Sequence, residues 1–474
     1  MPLNSMKRHP LFTLLLFVTM FSLSFSGSAQ QVTLSGSAQG AEGKSIRVTA
    51  WSDLITFTES RMADIPIDTM GNFAITFDLS ETMLITLSID LHKSTLYMEP
   101  GKSYYINLAP INYTDNQEIN PFIQSQNLQV RLLNQGQSEL NNMIWAYDGQ
   151  YNQFLLKHFN ALYLERKKNY LDTFRLQVNN QFNVIGYPYF ENYIIYKTAG
   201  LEQIARAMSQ NNLAKKYFID TPILYQNTEY MQFFNNFFTK YLTASSDILR
   251  KIDFTPIIKG VDPYPKLMKS LATDSVLQHR ELRELVLLKG LYELYYTNKD
   301  LQDPIITLFD TISRQSSTEA NRLIALNMKN KVTKLRPGTP APPFTLIGRT
   351  TDQTLSLKDF LGKPVVLNFW TTYCEGCLAE MELEVSLYEK YKDQVEFVSI
   401  CIDKYWVKMK YFALVKPELA WTLLHFAGDT DLLVDYEVRS YPLYVVIDRE
   451  GNIVQAPAPN PSEGLEKVIE ELIH

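Results

Sequence analysis

The sequence predicts a multidomain chain with an N-terminal all-β sandwich, a central all-α region and a C-terminal α/β domain. From Gln31 to about Pro110, apolar and polar residues alternate between turn signals. From Tyr113 to Leu335, apolar side chains recur at helical spacing. Beyond residue 344, short β-branched runs alternate with helical periodicity, and the one close pair of cysteines sits at such a change.

At the start of the chain, Lys7 and Arg8 precede the apolar run Leu11 to Phe25, and Gly27-Ser28-Ala29 offers a small-residue cleavage site before Gln30. A run this short, with these flanks, predicts a secretory signal peptide over 1–29 rather than a spanning helix. The stretch holds no cysteine, which argues against a lipoprotein anchor. No later segment is apolar for long enough to cross a bilayer. The expected product is a soluble, exported, periplasmic protein.

The predicted β-sandwich occupies 30–112. Val32-Thr33-Leu34-Ser35 and Ile46-Arg47-Val48-Thr49 alternate, and Gly40, Gly43, Gly71-Asn72 and Pro100-Gly101 supply turns. The predicted helical domain, 113–335, is punctuated by Pro188, Pro222, Pro256, Pro263, Pro265 and Pro304. Its aromatic runs, such as Phe233-Phe234-Asn235-Asn236-Phe237-Phe238, read as a helical core, with a groove for client proteins as the alternative.

Residues 30–335 contain no cysteine, no H-E-x-x-H and no Gly-rich phosphate loop, and their histidines His92, His158 and His279 are far apart in sequence. That region is expected to position clients rather than to carry chemistry. A net charge of -6 over 474 residues gives no reason to expect a nucleic-acid partner. Four prolines in Arg336-Pro337-Gly338-Thr339-Pro340-Ala341-Pro342-Pro343 predict a linker over 336–343, a semi-rigid stalk on which the last domain moves.

The last domain, 344–474, carries the chemistry. Pro364-Val365-Val366-Leu367-Asn368-Phe369-Trp370 reads as a buried strand, and Leu378, Met381, Val385, Tyr388 and Tyr391 read as the apolar stripe of the helix that follows. Cys374 and Cys377 thus sit where a strand hands over to a helix. Unpaired N–H groups and the positive end of the macrodipole favour a thiolate there. Cys374 is placed to attack a disulfide and Cys377, one turn on, to resolve the mixed disulfide.

These residues resemble the TlpA-like or ResA-like thiol:disulfide oxidoreductases of the thioredoxin superfamily. Phe344-Thr345-Leu346, Thr354 to Lys363 and Tyr436 to Ile453 look like the flanking elements of that fold. The resemblance implies a thioredoxin fold and a redox-active Cys374–Cys377 disulfide with no other cofactor. It implies exported disulfide-bearing proteins as partners and a membrane thiol protein as electron donor. It places Glu380 near the two sulfurs as a proton-exchanging carboxylate, Trp370 at the rim, and Tyr441 before a cis Pro442 where a substrate strand binds. Asn368 stands where thioredoxins proper carry a buried Asp. Glu382, Glu384 and Glu389 read as surface charges.

The chain also departs from the family pattern. Gly376 replaces a Pro, Tyr373 a Trp, and the bulky Tyr441 a small residue. Glu375 beside Cys374 opposes the helix dipole, which favours a reductase or isomerase over a strong oxidant. Cys401 reads as an inert buried thiol. A zinc site from Cys374, Cys377, Cys401 and His425 lacks the second close pair that such sites use, and Leu378 in place of His excludes covalent haem. A peroxidase motif would want Pro where Leu367 stands. The remaining alternative is a client-binding or assembly protein with an accessory redox fold.

Overall fold

The computed structural model describes residues 29–90, 92–111, 126–133, 136–182, 186–219, 221–349 and 354–473. The predicted signal peptide, apart from Ala29, and the predicted boundary at 112 lie outside them. Strand β1 (Gln30–Ala38) buries Val32, Leu34, Gly36 and Ala38 and leaves the residues between them half-exposed, the period-2 pattern of a strand with one face on a core. It is followed by β2 (Ser45–Trp51), β3 (Glu59–Pro66), β4 (Asn72–Leu79), β5 (Met83–Ile89), β6 (His92–Met98) and β7 (Ser103–Leu108), then the short β8 (Gln126–Asn127) and β9 (Val130–Leu132). They form two sheets, ordered β4-β1-β7-β9 and β3-β2-β5-β6-β8. Side chains from both, among them Leu34, Val48, Leu87 and Ile106, belong to one hydrophobic core. β1 and β7 run parallel, and Gly36 permits their approach, since a Cβ there would stand 1.9 Å from the Ile106 carbonyl oxygen.

The helical middle comprises α1 (Leu140–Tyr163), α2 (Asn169–Gln181), α3 (Pro188–Ile204), α4 (Gln210–Tyr217) and α5 (Thr228–Phe237). It continues through α6 (Thr255–Ile258), α7 (Pro263–Leu271), α8 (Arg280–Thr297), α9 (Gln302–Gln315) and α10 (Glu319–Thr333). Phe233, Phe234, Phe237 and Phe238 are all buried, and Phe218 stacks on Phe233 with ring centroids 5.1 Å apart. These aromatics form the helical core. The turn after β2 keys the β-rich region into it. Leu54 enters the helical core, while the buried Asp53 accepts from Ile55 N (2.8 Å), Thr56 N (2.6 Å) and Asn327 Nδ2 of α10 (2.8 Å).

The C-terminal part is a thioredoxin-like fold. Its strands are β10 (Thr345–Ile347), β11 (Thr354–Ser356), β12 (Val365–Trp370), β13 (Glu396–Cys401), β14 (Thr422–His425), β15 (Leu443–Ile447) and β16 (Ile453–Ala458). The sheet order is β11-β10-β14-β13-β12-β15-β16. β12 is buried along its whole length and lies between β13, which is parallel to it, and β15, which is antiparallel. Helices α11 (Glu375–Tyr391), α12 (Trp406–Val415) and α14 (Leu465–Ile473) share a core with Val366 and Trp370 on one face. Helix α13 (Thr430–Asp435) packs with Val365, Leu367 and Phe369 on the other. No helix among the described residues is long and apolar enough to cross a membrane.

The segment 336–343, expected as a semi-rigid stalk, is hydrogen-bonded to the C-terminal fold. Gly338 N donates to Ile453 O (2.7 Å), Ile453 N to Thr339 O (2.7 Å), Ala341 N to Gly451 O (2.9 Å), and the Tyr436 hydroxyl to Pro342 O (2.6 Å). Of the hydrogen-bonding groups, proline lacks only its own N–H, and the remaining donors and carbonyls bind the segment to the β15–β16 hairpin and to Tyr436. Further ties come from Lys334 to Asp435 (2.7 Å) and from Arg47 of β2 to Asp431 (2.6 Å).

Candidate active site

β12 ends at Trp370 and α11 begins at Glu375, with Cys374 as the N-cap. Cys374 Sγ accepts a hydrogen bond from Cys377 N at 3.0 Å. The same N–H stabilises a thiolate once the pair is reduced. Cys374 and Cys377 are joined as a disulfide with Cα atoms 5.2 Å apart. Cys374 is half-buried, whereas Cys377 has no exposure. An incoming disulfide or thiolate therefore reaches only Cys374.

The Tyr441–Pro442 peptide is cis, and the Tyr441 carbonyl oxygen lies 4.0 Å from Cys374 Sγ. That carbonyl stands beside the sulfur, and the Tyr441 ring meets the exposed Tyr373 edge-on, with centroids 6.5 Å apart. These two tyrosines form the rim. Trp370, expected there, is instead fully buried against Phe412 at 5.0 Å. It lies on the face of β12 that α11, α12 and α14 cover, with Val366 and Asn368, because side chains alternate along a strand.

Asp403 anchors the loop between β12 and α11. Its buried carboxylate accepts from Thr372 N (3.2 Å) and Thr372 Oγ1 (2.5 Å). His425 Nδ1 accepts from Ala427 N (3.0 Å), so Nε2 carries the proton and donates to Asp403 O (2.7 Å). Burial holds this imidazole below its ordinary pKa and pushes the Cys401 thiol well above its own. Cys401 thus stays a protonated, buried thiol.

Glu380, expected beside the sulfurs, directs its oxygens at Ser462, accepting from N (2.9 Å) and Oγ (2.6 Å). The buried carboxyl is Glu384, which had read as a surface charge. It has no exposure, and its Oε2 accepts from Asn368 Nδ2 (2.8 Å) and the Tyr444 hydroxyl (3.0 Å). Burial pushes its pKa up to about 8, against the pull of those two hydrogen bonds.

The sign for stability follows from that shift. A carboxyl whose folded pKa lies above its ordinary value near 4.5 favours folding while protonated, and this contribution is lost as pH rises to about 8. For Glu380→Gln, exchange rates with a small dithiol are expected to stay within about threefold of wild type, with about 1 kcal/mol of stability lost from the Ser462 bonds. Stopped-flow exchange and thermal melts check both; a tenfold loss of rate would return Glu380 to the chemistry.

Known proteins match this part of the chain. Residues 336–473 match the Redoxin family model. Thiol-disulfide oxidoreductase ResA of Bacillus cereus is 32% identical over 127 residues, which are 27% of this chain and 72% of that relative. The chain belongs to the TlpA/ResA-like branch of the thioredoxin superfamily. Thioredoxin-like protein YneN of Bacillus subtilis is 29% identical over 119 residues, 25% of this chain and 69% of that relative. The solved thioredoxin domain of a thiol-disulfide oxidoreductase from Bacteroides vulgatus is 25% identical and covers 30% of this chain and 99% of its own, with a TM-score of 0.27.

The family's activity, thiol-disulfide oxidoreduction, fits the Cys374–Cys377 pair. The family's intervening Pro is Gly376 here. A Cβ at Gly376 would meet nothing within 4 Å, and the residue has no left-handed φ, so neither space nor backbone conformation requires the glycine. Sequence reasoning had missed Glu384, Asp403 and Tyr444. Only Glu384 left a signal, its seven-residue offset from Cys377 on α11.

Proposed function

We propose that this oxidoreductase is exported and reduces or isomerises disulfides in periplasmic proteins, with Cys374 attacking and Cys377 resolving, and that a membrane thiol protein keeps it reduced. The asymmetry of the pair supports this best: a half-exposed sulfur at a helix N-terminus, beside the Tyr441 carbonyl, backed by a sulfur without exposure. Export rests on the charged, apolar and small-residue order of 1–29. Direction rests on the composition of the turn, where Glu375 adds negative charge beside Cys374 and no histidine lies between the cysteines.

A redox titration tests the direction. A potential near that of thioredoxin, about -270 mV, is expected; one near the strong periplasmic oxidants, about -120 mV, would make the chain an oxidase of clients.

The two N-terminal sheets, read as a sandwich, and the helical region hold clients near Cys374 and take no part in electron transfer. ResA of Bacillus cereus supports this division, since 72% of its length lies within the match to the redox part. A fragment of residues 336–474 keeps the strip that pairs with β15–β16. It is expected to turn over a small dithiol substrate within about threefold of the full chain and to lose rate on folded protein clients, because effective concentration is what the rest supplies. Loss of small-substrate turnover in a fragment folded by circular dichroism would place part of the active site in 30–335.

A further inference from the structure

Helix α12 carries apolar side chains on both its faces, the composition of a helix covered all round, yet the fold covers only one of them. Met409 is buried, Phe412 packs on Trp370 at 5.0 Å, and the Trp406 indole donates to Gly348 O (2.9 Å). On the outward face Val407, Tyr411 and Leu414 follow one another at helical spacing and are 61%, 68% and 71% exposed. The exposed Tyr405 and Val415 extend the patch. Contiguous apolar surface left in water marks a site of contact.

The charge around that stripe has one sign. Residues 404–417 hold Lys404, Lys408, Lys410 and Lys416 and no acidic residue, in a chain whose net charge is -6. The helical turn sets Lys408 and Lys410 on the two borders of the stripe. Lys404 Nζ lies over the Tyr405 ring (5.1 Å) and Lys410 Nζ over the Trp406 ring (4.9 Å). Their stems thus run along aromatic surface and their charges end beside it. Lys416 is ion-paired to Glu382 of α11 (3.8 Å) and to Glu418 (3.3 Å). Counting both acids against the four lysines still leaves the patch positive.

Lysines bordering an aliphatic stripe, with tyrosine and tryptophan at one end, suit a bilayer interface. Apolar side chains enter between the headgroups there, and the ammonium groups meet lipid phosphates. A second copy suits the face less, since a two-fold pairing would bring the same lysines together. The β-rich region does not compete for it. That region meets α13, through Arg47 and Asp431, and α13 packs on the opposite face of the sheet from α12.

We propose that the outward face of α12 is a docking surface for anionic phospholipid, lying on the membrane without crossing it and holding the Cys374 end of the redox domain there. β13 runs parallel to β12, with Cys401 opposite Trp370, so α12 starts at the end of the sheet where Cys374 lies. Just before α12, Asp403 accepts from Thr372 Oγ1 (2.5 Å) and ties the start of the helix to the Cys374 loop. The inference deepens the proposed function and rests on it for its purpose. A membrane thiol protein would meet Cys374 at the surface, at a raised effective concentration, while the region that holds clients stays on the other side of the sheet.

The test is flotation of the chain from Gln30 with vesicles of phosphatidylcholine, alone or mixed equally with phosphatidylglycerol. This chain keeps every described strand and helix and lacks the apolar run Leu11 to Phe25. It is expected to bind the mixed vesicles, about tenfold or more tighter than phosphatidylcholine alone, and to release them as salt rises. Tyr411→Ser combined with Leu414→Ser, and separately Lys410→Glu, weaken binding about tenfold. Leu156→Ser, at an exposed leucine of α1, leaves it unchanged. All these variants keep the wild-type rate of reduction by dithiothreitol in solution.

No binding to mixed vesicles, equal binding to both kinds, or equal weakening by Leu156→Ser overturns the proposal. So does a dimer in sedimentation equilibrium that Leu414→Ser dissociates, which would give the face to a second copy. Insulin reduction by the same samples separates the two readings. Vesicle binding without reduction supports the surface and overturns the oxidoreductase, whereas reduction without vesicle binding overturns the surface alone.

Discussion

Cys377→Ser is expected to accumulate mixed disulfides with client proteins, and Cys374→Ser to accumulate none, while both lose multiple-turnover disulfide reduction down to background. The geometry of the pair dictates the asymmetry. Cys374 Sγ is the sulfur with solvent access, and it has the Cys377 N–H at 3.0 Å to hold its thiolate. Cys377, with no exposure, cannot meet a client disulfide and can reach only the sulfur one turn away. Removing it leaves the first exchange intact and blocks the second, because a serine hydroxyl is no match for a thiolate as nucleophile. Non-reducing gels of each variant, incubated with oxidised periplasmic extract, give the readout. Equal trapping by both variants would overturn the division of labour.

The catalytic element was legible because several local signals agree. A β-branched run, two cysteines at C-x-x-C spacing and a helical period meet within a few residues, and the structure puts a buried strand, an N-capping cysteine and a helix there. The orientation of that helix was not legible. The apolar residues Leu378, Met381, Val385, Tyr388 and Tyr391 define one stripe, yet the face that packs on the sheet is centred on Cys377, Met381 and Glu384. A helix rotates to satisfy the surface it meets, and the partners of Glu384, Asn368 and Tyr444, lie 16 and 60 residues away in sequence. Among Glu380, Glu382 and Glu384, charge alone marks all three as surface residues.

The proline segment carried a similar ambiguity. Its composition shows which residues lack an N–H but not that Gly338, Thr339 and Ala341 pair with a hairpin more than 100 residues later, so attachment to the redox domain became visible only in three dimensions. Cys401 needed no such context. An apolar β-branched run around a lone thiol already implies a buried strand, and β13 is that strand.

Trp370→Ala is expected to destabilise the redox domain by about 3–5 kcal/mol, the usual cost of emptying a large aromatic site. Melting should fall by on the order of 10–20 °C for a domain of this size. Trp370 has no exposure, packs on Phe412, and shares its core with Met381, Tyr444 and Leu465. Its indole N–H has no hydrogen-bond partner among the described residues, so the loss is one of packing rather than of a polar contact. Tyr441→Ala supplies the contrast. Its ring is half-buried at the rim against Tyr373, and its backbone carbonyl faces Cys374 whatever the side chain. The expected cost is about 1 kcal/mol, near the centre of measured single-substitution effects, since the ring is only partly buried against the core, together with a change in the relative rates on different protein clients. Melting curves and client reduction rates on the same two variants separate core from rim. A Trp370→Ala protein that melts within a few degrees of wild type but fails on clients alone would put the indole in the binding groove and overturn its place in the core.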